Sequence, residues 1–345
     1  MSASAQYLSP SEAARRLGVS AKALRLYEQR GLVAPLRSAA GWRVYGPDQM
    51  ARAGEISALR ALGLSLGRVA RVLEGDVAGL EPVLAAHQAA LEAQARQLAG
   101  TVEKVRDLRA GLAQGAAPAV AELARLMAPA TELVVAFDLP WPWGGERFEL
   151  RDVRPLSYII GPLGCGKTRL ALRLAETLPG AAFVGLDRLD EPSQAVSARL
   201  EADPALQSRV DRTLAWLREE GAQASDALTI LIAALEAEGS GVLVIDMVEQ
   251  GLDEPTQEAV IAHLRGRGPD ARQLFLLTRS SSILDLCAVG ADEAILFCPA
   301  NHSPPTRIAP YPGAPGYESV TTCLASPEVR ARTEGVIAWR PQAAE

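Results

Sequence analysis

The sequence predicts a multidomain fold: an all-α head with a coiled-coil helix behind it, then an α/β domain. Three observations predict this. Near the start, two short helical stretches each open on a serine and are separated by Gly18. Further on, leucine or valine recurs every seven residues from Leu84 to Leu112. Beyond residue 150, an apolar, β-prone run leads into Gly161-Pro162-Leu163-Gly164-Cys165-Gly166-Lys167-Thr168, and a helical stretch follows.

Ser9, Pro10 and Glu12 form a helix start: cap, first-turn proline, and a glutamate three residues after the cap. Gly18-Val19-Ser20 breaks that helix and caps the next, which ends at Gly31. Two short helices joined by a tight glycine-containing turn are the helix-turn-helix arrangement. Gly41-Trp42-Arg43-Val44-Tyr45 alternates like a strand after a Ser-Ala-Ala loop and predicts a small wing. Residues 1–75 hold 11 basic and 5 acidic side chains, about +6, whereas the whole chain is −6. A basic head on a body of about −12 is the footprint of nucleic-acid binding. Arg15, Arg16, Arg25, Arg37 and Arg43 supply fixed charge, and Tyr27 and Tyr45 supply hydroxyls, for contacts to DNA phosphates.

Arg25-Leu26-Tyr27-Glu28, Gly31-Leu32, Gly41-Trp42-Arg43-Val44-Tyr45 and Leu62-Gly63-Leu64-Ser65-Leu66 closely resemble the MerR family of transcriptional regulators. Leu26 departs from the aromatic often found there. The resemblance implies a homodimer on a pseudo-palindromic promoter in double-stranded DNA. It would distort the spacer between half-sites and so act on RNA polymerase indirectly.

Leu84, Leu91, Leu98, Val105 and Leu112 form the heptad seam, with Ala95 and Val102 at the complementary positions. Gln88 and Arg109 interrupt it. In the MerR-like setting this is the antiparallel dimer arm; otherwise it is one long helix packed on its own domain. No cysteine precedes Cys165, so a thiolate metal sensor beside this helix is not expected. The break falls in Gly-Leu-Ala-Gln-Gly-Ala-Ala-Pro at 111–118, with a short bridging helix over Ala119 to Met127. The domains are therefore 1–75 (winged helix-turn-helix), 76–117 (dimerisation helix and linker) and 118–345 (α/β, with a Pro/Gly-rich C-terminal region).

No apolar run is long enough to span a bilayer, and the start has no basic-then-apolar leader pattern. Four cysteines in a chain of this size do not make a disulfide framework. A cytoplasmic protein with no membrane partner is expected. Cys287, Cys298 and Cys323 read as small buried apolar residues; Cys298 and His302 alone are too few for zinc, and no structural metal site is predicted.

Residues 161–168 match GxxxxGK[ST], the phosphate loop of P-loop NTPases. Leu156 to Ile160 supplies the strand leading in, and Lys167 to Leu178 the helix leading out, stopped by Pro179-Gly180. This arrangement aims backbone N–H groups and a helix N-terminus at phosphate. Lys167 is placed for the β/γ-phosphates of ATP and Thr168 for Mg²⁺. Val242-Leu243-Val244-Ile245-Asp246 is an apolar strand ending in an acid, the Walker B form, and Asp246 is the second Mg²⁺ residue.

The following residues resemble ABC-type ATPases. Gly251-Leu252-Asp253 fits the D-loop, Gln273 to Thr278 the next strand, and Leu133 to Phe137 with Arg147 to Leu150 the antiparallel strands before the loop. Trp141 and Trp143 lie about where that family stacks an aromatic on adenine. The resemblance implies ABC-like topology over roughly residues 130 to 300. Three positions depart. Met247 occupies the place of the glutamate that polarises the attacking water, and Arg279 that of a histidine; Gly221 to Ser225 is at best a degenerate signature. Losing a general base costs about 10²–10⁴-fold in rate. Glu249 and Arg279 are the remaining catalytic candidates, as substitute base and phosphate-stabilising cation.

The Pro and Gly density of residues 298–317 excludes regular structure and leaves two readings, a loop covering a site or a passive surface loop. Three functions remain open. The leading one is a MerR-type regulator whose C-terminal domain binds ATP-Mg as a switch, with weak or absent hydrolysis. The rivals are a DNA-targeted ATPase of repair or defence and a P-loop phosphoryl-transfer enzyme.

Overall fold

The computed structural model describes residues 7–77, 80–113, 135–267 and 271–325. In the head, Ser9 caps α1 (Pro10–Leu17) and closes a reciprocal capping box with Glu12. Ser20 caps α2 (Ala21–Gln29). The wing is a minimal ladder of β1 (Leu36–Arg37) and β2 (Arg43–Val44), paired Leu36 with Val44 and Arg37 with Arg43. α3 (Pro47–Ala61) and α4 (Leu66–Leu73) complete a core around Leu24, Tyr27, Tyr45, Ile56, Leu64 and Val69.

α5 is a single helix of 34 residues, Leu80–Ala113, about 50 Å long at 1.5 Å per residue. Leu80 and Val83 pack on the head core. Leu84, Leu91, Leu98, Val102, Val105 and Leu112 are all exposed. The helix continues through Gly111 to Ala113, past the start of the expected break. The rest of that break, the helix expected over Ala119 to Met127, and Leu133 and Val134 lie outside the described residues.

The second unit begins with a hairpin of β3 (Val135–Asp138) and β4 (Arg147–Leu150). Its centre is a six-stranded sheet in the order β10-β9-β5-β8-β7-β6. These are β5 (Leu156–Ile160), β6 (Ala181–Val184), β7 (Val242–Ile245), β8 (Gln273–Leu277), β9 (Glu293–Phe297) and β10 (Thr306–Ile308). All pairs are parallel except the β9–β10 edge. β5 is buried throughout, as a parallel strand covered on both faces must be. Alternation sends Ile159 to one face and Tyr158 and Ile160 to the other. On the Ile159 face lie the hairpin and α6 (Lys167–Thr177). The other face is covered by α7 (Ser193–Ala202), α8 (Pro204–Glu220), α9 (Asp226–Glu236), α10 (Glu254–Arg265) and α11 (Tyr317–Cys323). A 3-10 turn, Leu186–Asp190, links β6 to α7.

Two expectations are corrected here. The Pro/Gly-rich segment does contain regular structure: Thr306–Ile308 form β10, because an edge strand tolerates prolines just outside its three paired residues. Of the cysteines read as buried, only Cys298 is; Cys323 is half-buried and Cys287 exposed, in the turns after Ser282.

Head and body are bonded to each other. Glu220, at the end of α8, is buried and accepts from Arg60 Nη1 at 2.6 Å and from the backbone N–H of Leu66. Arg30 donates to the Glu220 carbonyl, and Ser65 to the Glu219 carboxylate. On a second side, Lys22 of α2 pairs with Glu258 of α10 at 2.6 Å and donates to Ser282 Oγ at 3.3 Å.

Candidate functional site

The phosphate loop runs from the carboxyl end of β5 into α6, where open parallel sheets place their ligands. Gly166 precedes α6 at φ 99, and a Cβ there would lie 2.6 Å from the Trp143 ring, so only glycine fits. Lys167 Nζ donates to the carbonyls of Gly161 and Pro162, at 2.8 Å each. Leu163 is exposed and Cys165 is buried.

Thr168 Oγ1 donates to Asp246 Oδ2 at 2.9 Å. These two residues come from opposite ends of the motif set, separated by 78 positions, and the sheet brings them together because β5 and β7 flank β8. A hydroxyl and a carboxylate oxygen converging beside a lysine are the hard donors that Mg²⁺ selects, so the residues fit that ion. Thr168 and Asp246 would hold the ion, which would supply positive charge against a bound phosphate.

The turn after Asp246 is held by a residue that sequence reading missed. Arg188, in the 3-10 turn, is buried and donates to the carbonyls of Gly185, Asp246 and Met247, at 2.7 Å each. Burial lowers its pKa, opposed by the charges of Asp246, Glu249 and Asp187. Met247 sits at φ 46, a left-handed conformation that a non-glycine residue adopts only when its surroundings enforce it. The only sequence signal for Arg188 is a cation amid the apolar Leu186 and Leu189, and no motif distinguishes it.

Glu249 is buried, and its Oε1 accepts from the Arg279 backbone N–H at 2.9 Å. The structure thus joins the two catalytic candidates through the Arg279 main chain. Asp253 of the D-loop-like segment caps α10, accepting from Thr256 N–H at 3.0 Å. Ser225 caps α9, so Gly221 to Ser225 form the turn between α8 and α9.

The two tryptophans differ. Trp143 is 4% exposed, and its indole N–H donates to the Ser303 carbonyl at 3.0 Å. It is a packing residue beneath the loop, which removes its face from a stacking role. Trp141 is 71% exposed, with the Arg169 guanidinium 4.8 Å from its ring centroid. The Pro/Gly-rich segment borders the loop as well: His302 Nε2 lies 3.4 Å from the Gly164 carbonyl.

In the head, Arg15, Arg16 and Arg25 are exposed. Arg37 is exposed and donates to the Gly41 carbonyl at 2.9 Å across the wing. Arg43 is half-buried and pairs with Glu28 at 2.7 Å, tying wing to α2. Tyr27 and Tyr45 are buried in the core, Tyr45 completely. Their rings pack in the head core with Leu24, Ile56, Leu64 and Val69, so their hydroxyls are not presented to DNA as the sequence reading expected. Trp42, at the wing, is 74% exposed and was passed over as a contact residue.

Comparisons with known proteins fall on both units. The model of the MerR HTH family regulatory protein matches residues 8–76. A probable heavy metal-dependent transcriptional regulator of Haemophilus influenzae is 35% identical over 103 residues, 28% of this chain and 80% of that protein. The ABC transporter ATP-binding/permease protein Rv1747 of Mycobacterium tuberculosis is 26% identical over 143 residues, 39% of this chain and 15% of that protein. The solved ADP conformation of MJ1267, an ATP-binding cassette of an ABC transporter, is 13% identical at a TM-score of 0.38, covering 59% of this chain and 99% of that one. The capped helix pair, the wing and the regulator matched over four fifths of its length agree: the chain belongs to the MerR HTH family of regulatory proteins.

Proposed function

We propose that this MerR-type regulator binds promoter DNA through its head and ATP-Mg through its α/β domain, and that nucleotide occupancy sets how the head engages DNA. One observation carries the reading. The helix that holds α2 of the head begins at the nucleotide site: α10 starts at Glu254, eight residues after Asp246, and its Glu258 pairs with Lys22. Lys22 also meets Ser282, three residues after Arg279. A small movement of either segment reaches the DNA-reading helix directly. Nucleotide acts only through different affinities for two head positions, a coupling typically about 1–3 kcal/mol.

Met247 offers no proton acceptor where the water-polarising glutamate is expected, so occupancy is long-lived and hydrolysis slow. The exposed seam of α5 supports a homodimer whose paired heads span two half-sites and act on RNA polymerase through DNA shape. The test is fluorescence anisotropy of the full chain on its own upstream DNA at fixed salt, with and without Mg-ATP. A shift of about 5–150-fold in affinity is expected, matching that coupling, and Lys167→Ala should abolish the shift while keeping nucleotide-free binding. Equal affinity in both arms, with no nucleotide-dependent change in DNA bending, would sink the switch.

A further inference from the structure

Cys165 of the phosphate loop and Cys298 at the end of β9 are buried in the same apolar cluster. β9 is registered on β5 with Phe297 opposite Ile160, so the next residue, Cys298, lies beside Gly161. Cys298 N–H donates to the Ile160 carbonyl at 2.8 Å. From the other side the loop folds Cys165 back onto the same glycine. A Cβ on Gly161 would lie 2.7 Å from Cys165 Sγ and 2.3 Å from the Cys298 carbonyl oxygen. Gly161 is therefore the gap beside which Cys165 Sγ and the Cys298 backbone meet. Lys167 Nζ is 3.6 Å from Cys165 Sγ.

We propose that Cys165 and Cys298 form a reversible, peroxide-driven disulfide that locks the phosphate loop and blocks nucleotide binding. The inference rests on the nucleotide reading above for its consequence, but not for its chemistry. The two thiols are unequal. The hydrogen bond from Cys298 and the Lys167 charge hold Cys165 down, to about 6, against the opposing effect of burial. That same hydrogen bond, together with burial, pushes Cys298 far up, so it keeps its proton. One is a thiolate nucleophile and the other a resolving thiol.

The Cys165 thiolate attacks the terminal oxygen of a hydroperoxide. The O–O bond breaks, the leaving hydroxide or alkoxide takes up a proton, and Cys165 becomes a sulfenic acid. The Cys298 sulfur then attacks the Cys165 sulfur. The S–S bond forms, the S–OH bond breaks, and hydroxide departs with the Cys298 proton as water. Two thiols lose two electrons; the peroxide is reduced to water and an alcohol, or to two waters. A dithiol reverses the change by exchange. Both sulfurs are covered, at 1% and 0% residue exposure, but Leu163, two residues before Cys165, is 75% exposed, so the covering loop is itself at the surface. The bond would fix the middle of the loop to the end of β9, where it could not adjust around a phosphate.

The test treats the reduced full chain with hydrogen peroxide at pH 7 and follows two readouts. Mass spectrometry of the digested protein should show a Cys165–Cys298 linked peptide pair, absent after dithiothreitol. Affinity for a fluorescent ATP analogue with Mg²⁺ should fall at least about 10-fold, a loss of ~1.4 kcal/mol, and recover on reduction. Cys298→Ser should bind the analogue like the reduced wild type and yield no linked pair after peroxide; a loss of affinity in this variant equal to that of the wild type overturns the disulfide as the lock. Peroxide that leaves both thiols free, or a linked pair with unchanged affinity, overturns the proposal. If the reduced wild type binds no nucleotide, the nucleotide reading and the switch fall together, while the linked pair still decides whether the disulfide forms.

Discussion

Glu220 shows how much one residue can carry. Its carboxylate is buried where α8 meets α4 and accepts from Arg60 and from the first N–H of α4. Burial raises its pKa above the ordinary 4.5, opposed by Arg60, the Leu66 N–H and Arg30. The folded protein therefore holds this proton more tightly than the unfolded chain. Stability is highest where Glu220 is protonated in both states, falls as pH rises from 4.5 through the folded value, and is level above it. Glu220→Ala leaves the half-buried Arg60 guanidinium with the Leu64 carbonyl alone and the buried Leu66 N–H without its acceptor, and should cost about 1–3 kcal/mol. Glu220→Gln keeps an acceptor oxygen and removes the charge, so it should cost less and flatten the pH slope above 4.5. Urea unfolding of both variants between pH 4.5 and 7 checks this; equal losses, or an unchanged slope in Glu220→Gln, would sink it. None of this was legible in the sequence. Glu219-Glu220 reads as an ordinary acidic helix end, and its partners lie 154 and 160 positions away.

At the scale of elements, legibility followed how local the cause is. Ser9 with Glu12, and Ser20, act within one helical turn, and both head helices begin where they stand. The strand, loop and helix around Lys167 were equally readable, because an uninterrupted apolar strand and a glycine loop need no distant partner to be identified. Tyr27 and Tyr45 were misread, since a hydroxyl in a basic motif looks the same whether its ring faces core or solvent. β10 was missed because its pairing is supplied wholly by β9. The helix α5 raises the one element-level question packing leaves open. Its seam Leu84, Leu91, Leu98, Val105 and Leu112 faces solvent along the whole helix. Five such side chains at about 1.5–3 kcal/mol each, if covered, are enough to hold two copies together. Leu91→Glu with Leu98→Glu should convert a dimer to a monomer in sedimentation velocity and weaken promoter binding, with the thermal unfolding of the head unchanged. A wild type that sediments as a monomer at micromolar concentration would sink the dimer arm.

The whole molecule poses the coupling question. Head and body touch on two sides that differ in kind. The Glu220 side is buried and fixes where the head sits. The Lys22 side is half-exposed, and its partners Glu258 and Ser282 belong to the two segments that follow Asp246 and Arg279. An exposed ion pair contributes only about 0–1 kcal/mol, so its loss should not loosen the head; it can still decide between two nearly equal head positions. Lys22→Ala would also remove a cation from the basic head, so the cleaner variant is Glu258→Gln on the body. It should leave the unfolding midpoint and the affinity for Mg-ATP unchanged and reduce the nucleotide-dependent shift in DNA affinity. Nucleotide-free DNA binding should rise or stay level, since Lys22 is then released toward phosphate. Glu254→Gln, which removes the longer 3.9 Å partner, should act the same way more weakly. If Glu258→Gln shows the full wild-type shift, the signal does not pass through the Lys22–Glu258 pair, and the Ser282 contact of Lys22 and the Glu220 contact with α4 become the routes to test next.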